Sequence, residues 1–532
     1  MQGHFLGQAR TTVVILAAGI ALAAPSIAAE ADCGGLAGKS FGTATVTAAT
    51  SVSPPSDFVG ADSPQPTPVG APFCRSQGTI KPTSDSDIQF EVWLPAKWNG
   101  KYLAVGNGGF AGSLIFPAMA RGLAAGYAVS ATDTGHEGGS LDSAWALGHP
   151  EKIADFGWRA IHETAVASKE IIDAFYGKAP TRSYFNGCSD GGREALMEAQ
   201  RFPTDYDGIV AGSPANFWTK LEANAVWAAQ SIGSPGAWLS PEALSTVAHA
   251  ALKTCPSTGG YIDDPAACRF DPSVLLCEGS ETNGCLTDGQ VGALKRLYSG
   301  AMSSDGRPIG PGYAPGGEAE WPLWIVGKPP QGAGSLLSIF GTGHYANLVY
   351  DNPNWRIEGQ NVGDDYVASV KKTGGSLDAD NPDLSAFKAA GGKLIQYHGW
   401  NDAAIPPENS IDYYTAVANK MGGVDSIRSF YRLFMAPGME HCGMGPGPNA
   451  IGGVFGLPSP SSDSEHDVIS ALSNWVEHGF APEKIVATRY RDNDPAKPID
   501  AQRPWCPYPA RAKVSPGAKA SEAGSFSCSE AD

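Results

Sequence analysis

Gly187-Cys188-Ser189-Asp190-Gly191 fits G-x-S-x-G, a setting in which serine becomes a nucleophile. Small residues two positions either side permit a sharp, strained turn from strand to helix. Such a turn lifts the hydroxyl above the sheet, at a helix N-terminus whose N–H groups favour developing negative charge. A serine hydroxyl is a weak nucleophile, so it needs a base, and the base needs an orienting carboxylate. With a nucleophile of this kind the chain order is serine, acid, histidine. His398-Gly399-Trp400-Asn401-Asp402 follows one apolar run directly, and Met439-Glu440-His441-Cys442-Gly443 follows the next. Asp402 and His441 are therefore the candidate acid and base, on loops expected at the same sheet edge as Ser189. Singly, each has a plainer reading: an ordinary serine in a glycine turn, a turn aspartate, a structural loop histidine. The three together, in order and each after a strand, point to acyl transfer.

The elements that must position these groups are legible as an alternation. Gln89 to Leu94, Tyr102 to Val105, Ala128 to Thr132 and Ser183 to Asn186 read as strands, and Gly106-Asn107-Gly108-Gly109 as a glycine-rich turn after the second. Ile153, Phe156, Ala160, Ile161, Ala165 and Ile172 recur at helical spacing, with Gly177 as the stop. Gly192 to Phe202 is a second helix, ended by Pro203. Strand, turn and helix in alternation argue for a parallel sheet covered by helices. From 217 to 380 the chain turns rich in Gly, Pro, Trp and Cys. The alternation resumes with strands at Lys393 to Tyr397 and Ser429 to Ala436 and a helix at Val468 to His478. The expected organisation is one α/β domain, 30–216 and 381–532, interrupted by an inserted lid at 217–380. The last stretch is expected to be an irregular tail.

Other classes of chemistry are poorly supported. No C-x-x-C occurs, and His162-Glu163 continues Thr164-Ala165-Val166 rather than completing H-E-x-x-H, so no zinc motif is present. The net charge of −17 disfavours nucleic acid or an anionic membrane as partner. With 42% hydrophobic and 17% charged residues, the 532-residue chain can bury a large core. Residues 1–29 read as a secretory signal peptide: an apolar run from Val13 to Ala24, then small residues at Ser26-Ile27-Ala28-Ala29. All ten cysteines follow it, an even number in a chain expected to be secreted or periplasmic, which suggests five disulfides whose pairing sequence alone does not choose.

Gly187-Cys188-Ser189-Asp190-Gly191-Gly192-Arg193, Asp402 and His441-Cys442 together resemble the tannase and feruloyl esterase family. So do Ala131-Thr132-Asp133-Thr134-Gly135-His136, Arg201-Phe202-Pro203, Tyr206 to Gly212 and Cys506-Pro507-Tyr508-Pro509, which spread the resemblance over nearly all of the chain after the leader. It implies an α/β-hydrolase core with a large inserted lid. It implies Ser189 as nucleophile, His441 as general base and acid, and Asp402 as the carboxylate that orients it. The backbone N–H groups of Gly109 and Asp190 match the oxyanion hole, with Gly108 adjacent in the same turn. The family pattern pairs Cys188–Cys442, Cys33–Cys74, Cys255–Cys268, Cys277–Cys285 and Cys506–Cys528.

The implied function is hydrolysis of small aromatic or phenolic esters, feruloyl- or galloyl-type, with no cofactor. An esterase of the same fold acting on other aryl or aliphatic esters is the alternative, and a non-catalytic binding protein on this fold a third reading. Among lid aromatics, Trp321, Trp324 and Phe340, with Tyr345 and Trp355, are candidates to face a flat acyl group, or else lid core. Family members that cleave terephthalate monoesters use a lid arginine where this chain has Ser335-Leu336-Leu337. Many members also hold calcium in a lid loop. Here that loop, Cys255 to Cys268, is shortened: the first aspartate position is Pro256 or deleted, another aligns with Gly259, and Asp263 and Asp264 fall after the usual ligands. Calcium wants 6–8 oxygens, largely from carboxylates. No metal is therefore expected.

Overall fold

The computed structural model describes residues 1–4, 32–278, 284–329 and 334–530. The apolar run and small residues of the expected signal peptide lie outside the described residues. The short apolar stretches after glycine turns form strands of a ten-stranded sheet. In chain order these are β1 (Ser40–Phe41), β2 (Ala44–Val52), β3 (Phe73–Ile80), β4 (Ile88–Pro95), β5 (Lys101–Val105), β6 (Ala128–Thr132), β7 (Arg182–Cys188), β8 (Gly208–Gly212), β9 (Lys393–Gly399) and β10 (Tyr431–Ala436). Across the sheet they run β1-β2-β3-β4-β6-β5-β7-β8-β9-β10. β1 to β4 are antiparallel, as is β4 with β6, and from β6 to β10 every pair is parallel.

Both faces of the parallel part are buried, as parallel strands require. Adjacent residues point to opposite layers. Phe185 and Leu394 join Ile161, Leu196 and Tyr413 from helices Ala160–Tyr176, Asp190–Arg201 and Glu408–Lys420. Tyr184 and Ile395 join Phe116, Leu472 and Trp475 from helices Phe116–Ala124 and Val468–His478. The chain leaves β5 for β6 on one side, then returns to place β7 on β5's other side. Such a reversal opens a crevice at the carboxyl ends of the strands, here β5 and β7. This is an α/β-hydrolase fold carrying an antiparallel extension on one edge.

Between β8 and β9 the chain forms helices that include Trp218–Gly233, Pro241–Thr254, Asp288–Ser299 and Leu336–Gly343. They pack around interiors of their own, one holding Leu244, Leu294 and Trp321, another Tyr345 and Trp355. Among the described residues no helix is long and apolar enough to cross a membrane. The tail departs from the irregular segment expected: Arg511–Val514 pairs with Phe526–Ser529, and Ile499–Trp505 pairs with Ile485–Tyr490. These strands mix Lys, Arg, Ser and Pro, so little apolar alternation marks them.

Candidate active site

Ser189 sits between β7 and helix Asp190–Arg201 with φ 66° and ψ −122°, a conformation costly for any residue with a Cβ. The surrounding glycines make it possible. A Cβ on Gly187 would lie 2.1 Å from the Gly191 carbonyl oxygen, and one on Gly191 would lie 2.8 Å from that of Asn107. The turn is tied to its neighbours: the Ser189 N–H donates to Gly212 O at 3.0 Å, and Ala215 N–H donates to Ser189 O at 3.0 Å.

His441 Nε2 stands 2.9 Å from Ser189 Oγ, and His441 Nδ1 stands 2.8 Å from Asp402 Oδ2. Asp402 is fully enclosed. Its other oxygen accepts the N–H groups of Ala404 and Ile405, both at 2.9 Å. Burial by itself would push its carboxyl up, but the facing His441 and His398 outweigh that and hold it well below the usual carboxylate range. Asp402 is thus an anion with its lone pairs aimed at His441, which fixes the imidazole with Nε2 toward the serine. The sulfurs of Cys188 and Cys442, next in sequence to Ser189 and His441, are joined. The structure also joins Cys33–Cys74, Cys255–Cys268, Cys277–Cys285 and Cys506–Cys528.

The turn after β5 faces the serine. Gly109 has φ 57°, and a Cβ there would lie 2.3 Å from Ser140 O, so the position admits only glycine. Gly109 and Asp190 line the same cavity as Ser189. Asp190 is the first residue of its helix, so its N–H is not used within the helix. Two side chains to which the sequence assigned no role, Glu194 and Arg193, hold this pair of segments. Glu194 accepts the Asn107 N–H at 3.0 Å. Arg193, wholly buried, donates to Asp190 Oδ1 at 2.6 Å and to Phe156 O at 3.0 Å.

The cavity above Ser189 is about 320 Å³ and mostly apolar. One wall is the face of helix Trp218–Gly233 carrying Trp218, Leu221, Glu222 and Ala225; another carries Leu336, Leu337 and Phe340; the floor holds Ala404, Ile405 and His441. Trp324 stands edge-on to His441, centroids 5.0 Å apart at 73°, and stacks with Phe340 at 6.3 Å. Of the lid aromatics proposed from sequence, Trp324 and Phe340 reach the cavity. Trp321 does not: it is 1% exposed, packed against Tyr298 and Tyr313 in the lid interior, and its assignment to the substrate pocket is corrected. Tyr345 and Trp355 stack on each other in lid core. Trp218, Leu221 and Glu222 were missed. Their spacing is helical, but which stripe faces the serine depends on how the lid docks.

Glu320 was missed too. It accepts from Trp324 Nε1 at 3.1 Å and from the Ala403 N–H at 3.3 Å, and the backbone N–H of His441 also faces it. Burial, then the charges of Asp402 and Glu440, push its carboxyl up to about 9. The shortened lid loop does not fit calcium. Asp263 takes the Arg503 guanidinium and the Thr258 hydroxyl, and Asp264 takes Arg511, so both carboxylates are engaged by side chains.

The tannase and feruloyl esterase family profile matches residues 74–529. The chain belongs to this family. An uncharacterised esterase of Xanthomonas campestris is 38% identical, over 94% of this chain and 91% of that protein. A probable feruloyl esterase B-2 of Aspergillus flavus is 34% identical, over 82% and 84%. The crystal structure of feruloyl esterase B from Aspergillus oryzae superposes with a TM-score of 0.85 at 29% identity, covering 94% of this chain and all of that one. Tannin acyl hydrolase from Aspergillus niger shares the fold, with a TM-score of 0.71 at 21% identity. This family member is a carboxylic ester hydrolase, and its substrates are small-molecule esters.

Proposed function

We propose that the chain is an exported serine esterase that hydrolyses esters of aromatic, phenolic acids through an acyl-enzyme. The observation that carries this is the hydrogen-bonded line Ser189–His441–Asp402, whose Ser189 and His441 open into an apolar cavity edged by Trp218, Trp324 and Phe340. Ser189 Oγ attacks the ester carbonyl carbon while His441 Nε2 takes its proton, and Asp402 stabilises the imidazolium. The carbonyl oxygen becomes an anion held by the N–H groups of Gly109 and Asp190. His441 returns the proton to the departing alcohol oxygen, leaving an acyl group on Ser189. It then deprotonates a water whose attack frees the acid. Flat apolar walls suit an aromatic acyl group. The described cavity wall carries no Lys or Arg and presents Leu336 and Leu337, which does not suit a free benzoate carboxylate. Five disulfides fit an oxidising compartment, in keeping with export.

The test is twofold. A fluorophosphonate should label wild type at Ser189 and leave Ser189→Ala unlabelled. Of feruloyl, galloyl and short aliphatic esters, the aromatic ones should be cleaved with the higher kcat/KM. Labelling at another residue refutes the mechanism, and a preference for aliphatic esters refutes the substrate class.

A further inference from the structure

We propose that Glu222 is the polar recognition point for a ring hydroxyl of the substrate's aromatic acyl group. The proposal rests on the aromatic-ester reading above and specifies which aromatic esters. The wall on which Glu222 lies is otherwise apolar: Trp218, Leu221 and Ala225 share its helix face, and Leu337 and Phe340 stand across the cavity. A carboxyl there is out of character with its surroundings and needs a reason. Glu222 is only 2% exposed, and its Oε2 finds no hydrogen-bond partner among the described residues. The other carboxylates near the serine each accept at least one hydrogen bond, though Asp190 Oδ2 and Glu194 Oε1 are also buried without a partner. Asp190 is bound by Arg193 and Asp402 by His441, and Asp62 accepts from Ser113 Oγ and the Ser140 N–H. Glu222 has no such hydrogen bond among the described residues, although the unpaired hydroxyls of Tyr313 and Tyr345 lie near enough to feel its charge, and it borders the space where the acyl group would lie.

Burial alone pushes the Glu222 carboxyl up to about 8, so it is mostly protonated near neutrality. A carboxylic acid both donates and accepts, and so does a phenol, so the two match reciprocally. A ring without a hydroxyl would displace water from this carboxyl and give nothing back. Binding such a ring leaves a buried polar group unsatisfied, which is how a site rejects an analogue that lacks one hydroxyl. A ring bearing a carboxylate fares worse, because no cation on the described wall meets it.

The experiment compares kcat/KM for methyl 4-hydroxycinnamate, methyl 3-hydroxycinnamate and methyl cinnamate in wild type, Glu222→Leu and Glu222→Gln. Wild type should prefer at least one hydroxylated ester over cinnamate. In Glu222→Leu that preference should fall roughly tenfold or more, while Glu222→Gln, which still donates and accepts, retains most of it. A ratio cancels losses from misfolded protein. Should Glu222→Leu not fold, Glu222→Ala, which also removes the hydrogen-bonding group, takes its place in the same comparison. Equal ratios in wild type and Glu222→Leu, or no preference in wild type, overturn the role of Glu222 and leave the aromatic-ester reading standing. A wild type that cleaves only aliphatic esters overturns both.

Discussion

Ser189 is held at φ 66° and ψ −122° whether or not it reacts, so its backbone and its hydroxyl can be examined separately. Ser189→Ala removes the hydroxyl and keeps the Cβ; Ser189→Gly removes both. Both variants should lose turnover to background. Ser189→Gly should be the more stable by about 1–2 kcal/mol, because glycine relieves a conformation that costs an L-residue about 1–3 kcal/mol. Urea unfolding of the two variants is the measurement, and equal stability would show that the turn is not strained. Asp402→Asn probes the next position. Its oxygens accept from Ala404, Ile405 and His441, and an amide meeting the imidazole selects the wrong tautomer. A folded variant with kcat reduced by about 10⁴-fold is expected. A loss under tenfold would mean that Asp402 does not orient the base.

At the scale of elements, the geometry depends on two loops from distant parts of the chain staying in register. The Cys188–Cys442 bridge spans 254 residues and ties the serine turn to the histidine loop one residue from each reacting group. A nucleophile and base must hold about 2.6–3.2 Å, so a small drift costs much rate. Replacing both cysteines by alanine should therefore lower kcat well before it lowers far-UV circular dichroism. An unchanged kcat would make the bridge purely a matter of stability. Glu320 links a third element, joining Trp324 of the lid to the loops of Asp402 and His441. Unfolded, its carboxyl ionises near 4.5; folded, it keeps its proton to about 9. Between those values the folded state binds the extra proton, so this group makes stability fall as pH rises. Glu320→Gln should flatten the decline in Tm between pH 6 and pH 8.5 relative to wild type, and parallel curves would show that Glu320 is ionised in the fold. These elements differ in how far sequence discloses them. β7, β9 and β10 are short apolar runs stopped by glycine or proline, and the loops after them carry Ser189, Asp402 and His441. β2 and β3 escaped because they are rich in Thr, Ser, Gly and Ala with little contrast between faces. Trp321 was misplaced and Glu222 overlooked for one reason: sequence marks a helix's apolar stripe without saying which neighbour covers it.

Over the whole molecule, the lid is fastened to the far end of the chain by charge. Asp263 and Asp264, in the loop closed by Cys255–Cys268, take Arg503 of the strand Ile499–Trp505 and Arg511 of the strand Arg511–Val514. Arg503 is 2% exposed and also lies over the rings of Tyr261 and Phe526. The guanidinium groups thus stand against the carboxylates that a calcium ion would need, and Pro256 and Gly259 supply none. We expect these ion pairs, rather than a bound ion, to hold the lid loop in place. Asp263→Asn leaves Arg503 buried without its counter-charge, a loss of about 1–3 kcal/mol once the partial exposure of the aspartate is allowed for. Its Tm should fall, and more so at low salt, where wild type gains most from the pair. A chelator should leave both Tm and activity of the wild type unchanged after dialysis, and added calcium should not raise them. A chelator-induced drop in Tm that calcium reverses, and that Asp263→Asn abolishes, would show that the loop binds a metal and that the arginine pairs are not what fastens the lid.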